Sequence, residues 1–247
     1  MLSCLIITPQ IVKATVTIIK PSSADNHIDE ASPYSVGGGG IGVGFNSGQR
    51  RHGLVKFDLS TIPVGAIINS ATLRLVITST YGGSPGGKTV MVYRVTQDWT
   101  ENEVTWINAK SGNPWSTPGG VWAPEHLVST TVNPPSNMVV TWTVTDIVKD
   151  WISEGKDNFG FILIPGTLTD PDWVTFWSRE NDFSDPENNN PRLTIDWDQP
   201  PNPKPRSTPV GGLVIPTNNL EILTPYLSLA GLIMVISTIY VIKRRKN

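Results

Sequence analysis

The chain has 247 residues, with 19 Lys+Arg against 21 Asp+Glu and a formal net charge of −2. Four of the basic residues close the C-terminus at 243–246, so the remainder is acidic by six charges, 21 against 15; it lacks the basic excess of a nucleic-acid binder. A single cysteine, Cys4, excludes an intrachain disulfide, and 22 Gly, 21 Pro and nine Trp point to an all-β domain with many turns.

Residues 1–14 (MLSCLIITPQIVKA) carry a short apolar run ending in Val-Lys-Ala and read as the remnant of an export signal with cleavage after Ala14, although the basic n-region of such signals is missing. The mature domain then opens with a strand at 15–19. A loop-rich stretch follows over 21–49, with a glycine run at 37–40 and a short extended piece at 41–45. Residues 52–59 and 71–80 alternate as strands: Leu73, Leu75 and Ile77 share one face, Thr72, Arg74, Val76 and Thr78 the other. The Ile62-Pro63-Val64-Gly65 segment suits the tight turn between them.

A strand at 89–95 leads into an irregular stretch, 96–135, rich in Trp, Pro, Asn and Gly. A strand at 138–143 precedes the one soluble helix expected, about 145–154. Its apolar stripe is Ile147, Val148, Trp151 and Ile152, Thr143 and Asp146 form a capping box, and Gly155 follows its end. Residues 159–164 (FGFILI) are apolar on both faces and read as a central strand; strands at 173–178 and 192–197 close the set. The expected architecture over 15–198 is a two-sheet sandwich of nine or ten strands with one short helix.

A Pro-rich spacer at 199–219 is extended and semi-rigid by composition. Beyond it, 225–242 is uncharged and apolar within a 220–242 segment, and Lys243, Arg244, Arg245 and Lys246 follow at once. Eighteen helical residues reach about 27 Å, close to the ~30 Å hydrocarbon core of a bilayer. A basic cluster after such a span stays cytoplasmic. The expectation is a single-pass membrane protein with its sandwich outside the cell, its C-terminus at 243–247 inside, and lipid as a partner through 225–242. The short spacer, helix and basic tail suit an archaeal cell surface.

Several spaced motifs agree in order with one family. Residues 53–59 (GLVKFDL), Ile62-Pro63 and 71–75 (ATLRL) come first. Then follow 92–95 (VYRV), Asp98-Trp99-Thr100 and 104–109 (VTWINA). Asp146-Ile147-Val148, Trp151, 158–161 (NFGF), 176–180 (FWSRE) and Pro191-Arg192-Leu193 complete the series. Across 15–197 the chain resembles the DNRLRE-domain family. That resemblance implies a jelly-roll-like β-sandwich, a place among carbohydrate-binding modules and a relation to disaggregatase-type surface proteins. The glycine-rich 37–44 segment departs from the family's usual extended segment there.

Residues 37–42 formally match a GxGxxG motif, but no strand-turn-helix unit follows, so they read as a flexible loop. His27, His52 and His126 have no metal-ligand spacing. Asp98, Glu101 and Glu103 offer carboxylate pairs of the kind a glycosidase uses, yet they sit in motifs better suited to structure, and no catalytic residue is assigned. Calcium selects hard oxygens, and a disulfide-free exterior domain gains from one ion. The candidate ligands are Asp25, Asp29 and Glu30 after the first strand and Asp182 before the last, with solvated turn residues as the alternative.

Indole faces stack on sugar rings. Trp99, Trp106 and Trp151 are assigned to the core, whereas Trp115 and Trp122, in the irregular stretch, are ligand candidates. Trp173, Trp177 and Arg179 share strand parity and form a second candidate platform, each as well suited to packing as to binding. Arg50, Arg51 and Lys56 are placed to meet acidic sugars. The sequence thus predicts a membrane-anchored extracellular, non-catalytic module that binds polysaccharide, acidic glycans included, with no nucleic-acid partner. The alternatives are a structural or adhesive surface protein, with envelope proteins as partners, and a polysaccharide lyase or hydrolase accessory.

Overall fold

The computed structural model describes residues 14–81, 88–132, 138–166, 172–180 and 189–200. The chain divides into two compact units, Met1–Pro201 and Asn202–Asn247. The second unit lies outside the described residues, as do the export signal before Ala14, the 225–242 segment and most of the spacer. Among the described residues no helix is long and apolar enough to cross a membrane.

The strands are β1 (Thr15–Ile19), β2 (Ala24–Asp29), β3 (Ile41–Asn46), β4 (Gln49–Lys56), β5 (Ile67–Tyr81), β6 (Lys88–Arg94), β7 (Asn108–Lys110), β8 (Asn113–Pro114), β9 (Val128–Val132), β10 (Val139–Thr143), β11 (Phe161–Pro165), β12 (Trp173–Phe176) and β13 (Arg192–Asp198). A helix, α1, spans Thr145–Ile152. Eleven strands join in a single curled sheet along β1-β13-β5-β12-β3-β4-β11-β6-β9, with β10 also on β5 and β2 also on β4; β7 and β8 form a separate ribbon. The two layers expected as separate sheets are therefore continuous.

The fifteen-residue β5 makes that continuity. Its first part pairs with β13 on Ile67 to Arg74 and with β10 on Thr72 to Val76. Its last part, Ile77 to Tyr81, pairs with β12, which pairs on with β3.

Alternation sorts the apolar residues into two cores. Leu73, Leu75 and Ile77 of β5, Val55 of β4, and Phe161 and Leu163 of β11 enter the main core with Trp142, Phe176 and Trp151. Leu54, Ile162 and Ile164, of opposite parity, face a second core with Ile28, Trp99, Trp106 and Trp115. This explains why β11 is apolar on both faces: it lies between β4 and β6, with a core on either side. Burying a Leu or Ile side chain contributes roughly 1.5–3 kcal/mol. The second core exists because the irregular stretch after β6 lies against the outer face of β2, β4 and β11, contributing its indoles as the lid.

The helix is shorter than expected and its capping box does not form. Thr143 belongs to β10, the N-cap is Val144, and no side chain caps the first turn. Thr145 Oγ instead accepts the Ala71 N–H at 3.0 Å, tying α1 to β5. Asp150, 1% exposed, carries the other anchor of α1. Its Oδ2 lies 2.9 Å from Arg94 Nε on β6, and its Oδ1 2.9 Å from Lys156 Nζ.

Candidate functional site

The 21–49 stretch, expected as loop, contains β2, which pairs with β4 from Ala24↔Lys56 to Asp29↔Arg51. Asp25 and Asn26 at its start are buried. They border a cleft of about 370 Å³ lined also by 37–40, Glu101, Asn102 and the Ser178-Arg179-Glu180 turn after β12. Three segments far apart in sequence thus meet where β2, the turn after Trp99 and the end of β12 converge.

Hydrogen bonds fix this meeting. The Asp25 N–H donates to Glu101 Oε1 at 2.7 Å, and Asn26 Nδ2 donates to the Glu101 carbonyl at 2.8 Å. The Arg179 N–H donates to Asp25 Oδ2 at 3.2 Å, and Arg179 Nη1 donates to the Ser23 carbonyl at 2.5 Å. Its guanidinium also bridges Glu101 and Glu180. Burial opposes charge on Arg179, yet Glu180, Glu101 and Asp25 together hold its pKa above the ordinary value.

Asp25 is the least comfortable group in the cleft. Burial pushes its carboxyl up to about 7 against the opposing hydrogen bond from Ser22. Among the described residues its Oδ1 has no hydrogen-bond partner, and neither has Oγ of Ser178, which is 4% exposed. Two buried oxygens with unused capacity therefore belong to one cleft. Both ends of the glycine run are pinned by sterics: a Cβ on Gly37 would lie 2.2 Å from the His27 carbonyl oxygen, and one on Gly40, at φ +128°, 2.8 Å from that of Phe176. Tyr34, three residues before this run, is 78% exposed.

The sequence-predicted residues fall in different places. Trp115 is not a ligand platform: it is 3% exposed in the second core, and its Nε1 donates to the Thr105 carbonyl at 3.0 Å. Its ring has no open face because the Pro/Gly-rich stretch covers a sheet. Trp122 is half-buried, 5.9 Å from both the His52 and Tyr93 rings. Trp173 and Trp177 are half-buried on alternate positions, with the Arg51 guanidinium 5.9 Å from the Trp173 ring. Arg179 lines the cleft. Trp99, Trp106 and Trp151 are core residues, as expected.

The basic residues placed to meet acidic sugars already face carboxylates. Arg50 pairs with Glu30 at 3.0 Å, Arg51 with Asp29, and Lys56 with Asp98 at 3.5 Å. Asp98 also holds Lys110. Asp29 and Glu30 do not share a loop with Asp25. Both stand at the far end of β2, and at ~3.3 Å per residue Asp29 is about 13 Å along the strand from Asp25, too far to share an ion. Asp182 lies outside the described residues.

Asp25 instead meets Glu101 and Glu180: one oxygen from each lies within 4.8 Å of the others. Glu180, Ser178 and Tyr34 were not singled out from the sequence as site residues, and Glu101 was noted only as one of a carboxylate set. The available signal was Glu101, directly after the Asp98-Trp99-Thr100 motif, and Arg179 of the 176–180 motif, which pair here.

No curated protein matches the chain. The model of carbohydrate-binding module family 96 matches residues 39–196, well over half of the chain, and the protein belongs to that family.

Proposed function

We propose that this protein is a non-catalytic polysaccharide-binding module, held at the outer face of a cell membrane by its 225–242 segment, and that the Asp25–Glu101–Arg179 cleft takes the sugar. One observation carries the choice of site: a cleft of about 370 Å³ whose buried Asp25 Oδ1 and Ser178 Oγ lack partners. Its size falls in the ~300–1,000 Å³ range of small-molecule sites. Sugar hydroxyls both donate and accept, so they satisfy a carboxylate and a hydroxyl together. Tyr34, three residues before the glycine run, is exposed outside the cleft lining and offers an aromatic face to a glycan chain long enough to extend beyond it.

Without a bound cation, charge favours neutral over acidic glycans here. Three carboxylates and one guanidinium border the cleft, and Arg50, Arg51 and Lys56 spend their charge within the domain. The raised Asp25 pKa beside other carboxylates has a counterpart in catalytic acids. Membership of a carbohydrate-binding module family favours binding over hydrolysis. A polar cleft with unpaired hydrogen-bonding groups likewise supports sugar capture over mere packing against envelope proteins.

Affinity electrophoresis of the full chain in detergent, on gels holding neutral or acidic polysaccharides, tests the reading. Retention on at least one neutral polysaccharide, lost in Arg179→Ala and weakened in Tyr34→Ala, is expected. Absence of retention on every polysaccharide, or retention indifferent to both substitutions, overturns it. The membrane placement predicts that the chain stays with the membrane fraction after alkaline washing; release into the wash overturns that part.

A further inference from the structure

We propose that Asp25, Glu101 and Glu180 bind a divalent cation, calcium in an exported domain. The three carboxylates come from β2, the turn after Trp99 and the turn after β12, and present one oxygen each within 4.8 Å of one another. Calcium takes oxygens at ~2.3–2.6 Å, so two ligands on one ion stand at most about 5 Å apart, and the set fits within that span.

Two further observations point to a ligand rather than to a mere acidic cluster. Asp25 is 3% exposed, and its Oδ1 has no hydrogen-bond partner. Ser178, outside the carboxylate set, lines the same cleft and is equally buried, and its Oγ too has no partner among the described residues. Buried oxygens of this kind are costly unless something coordinates them.

Charge agrees. Three carboxylates with Arg179 among them leave a formal charge of −2, which a dication cancels. Glu101 Oε1 accepts only the Asp25 N–H and Oε2 only Arg179 among the described contacts, and each carboxylate oxygen has a second lone pair to offer. The ion would join three segments that the chain brings together from more than 150 residues apart, a role otherwise served in exterior proteins by disulfides, which a single cysteine cannot form.

The cation site is tested without any glycan. The full chain in detergent, stripped with chelator, is titrated with calcium or magnesium chloride by calorimetry and melted at each concentration. Calcium at about 100 times its Kd is expected to raise Tm by roughly 5–10 °C, reversibly on chelation. Asp25→Asn and Glu180→Gln should each weaken calcium binding about tenfold or more; Glu180, at the surface, can be replaced without threat to folding. Neither heat nor a Tm shift up to about 10 mM, above the ~10⁻⁴–10⁻³ M Kd of weak extracellular modules, overturns the proposal. So does a calcium response undiminished in Glu180→Gln, and a magnesium response as strong as calcium's overturns the choice of ion. Calcium binding without glycan retention removes the sugar reading and leaves the cation site standing.

Discussion

The Asp25 main-chain N–H and the Glu101 side chain meet at 2.7 Å although 76 residues separate them. The same glutamate holds Arg179 through its other oxygen and the Asn26 amide through its main-chain carbonyl. Glu101 is thus the central staple of the cleft, and the site depends on it for shape before any ligand arrives.

Glu101→Ala leaves the Asp25 N–H without its acceptor and Arg179 with one fewer carboxylate. We expect a loss of about 2–4 kcal/mol in calcium-free urea unfolding. Glu101→Gln keeps a carbonyl acceptor for Asp25 and loses only the charge, so its cost should be about half as great. Equal losses in the two variants would show that the contact to Asp25 is not the one that matters.

His52 provides a pH signal remote from the carboxylates. It is 3% exposed, its Nδ1–H donates to the Gly119 carbonyl at 2.8 Å, and its ring lies 4.9 Å from that of Trp106. Burial pulls its pKa down to about 4. A folded pKa below the unfolded ~6.5 means that the unfolded chain takes the proton first. The contribution of His52 is therefore intact above pH ~6.5 and declines as pH falls towards ~4, by about 3 kcal/mol in all. Urea unfolding of the wild type and of His52→Phe at pH 7 and pH 4 isolates it. The wild type should lose more stability over that interval by about that amount, and parallel losses would show that the ring is not held neutral.

Much of this fold is legible in the sequence wherever period-two alternation is strong. Leu73, Leu75 and Ile77 point into the main core as their spacing requires, and the doubly apolar FGFILI segment proves to have a core on each side. β2 escaped notice because ADNHID looks like a polar loop. Asp25 and Asn26 are both held by Glu101, a partner that no local pattern reveals. The burial of Trp115 is hidden in the sequence for a related reason: Pro and Gly mark irregular backbone, and irregular backbone usually runs over the surface. Here it is laid on the outer face of a sheet, and its tryptophan is the filling between them. Nearness in sequence suggests Asp25 with Asp29 and Glu30, whereas a strand sets Asp25 and Asp29 apart and topology brings in Glu101 and Glu180.

Asp150 is expected to be among the costliest polar residues to remove. It is 1% exposed and joins α1 to Arg94 of β6 and to Lys156. Although burial works against its charge, Lys156, Arg94 and His126 hold its pKa below the usual carboxylate value. Asp150→Ala leaves the Arg94 guanidinium, only 10% exposed, with the partly exposed Glu125 at 3.2 Å and without its buried partner, and should cost about 2–4 kcal/mol in urea unfolding. High salt should recover little of it, because a buried pair is weakly screened. A loss below about 1 kcal/mol would place this network with ordinary surface pairs.

The glycine run separates shape from chemistry in the cleft. An alanine at Gly37 would put its Cβ 2.2 Å from the His27 carbonyl oxygen and 2.6 Å from Asn26 Oδ1, so the loop or the start of β2 must move. Gly39 stands in open space at φ +76°, where alanine meets no neighbour and only the left-handed backbone opposes it, at roughly 1 kcal/mol. Gly37→Ala should therefore abolish polysaccharide retention and destabilise by about 1–3 kcal/mol. Gly39→Ala should cost about 1 kcal/mol and leave most retention in place. Affinity electrophoresis beside thermal melts reads both quantities on the same samples. If Gly37→Ala melted lower yet bound polysaccharide as the wild type does, the floor of the cleft formed by β2 and this loop would not be the surface that meets the sugar.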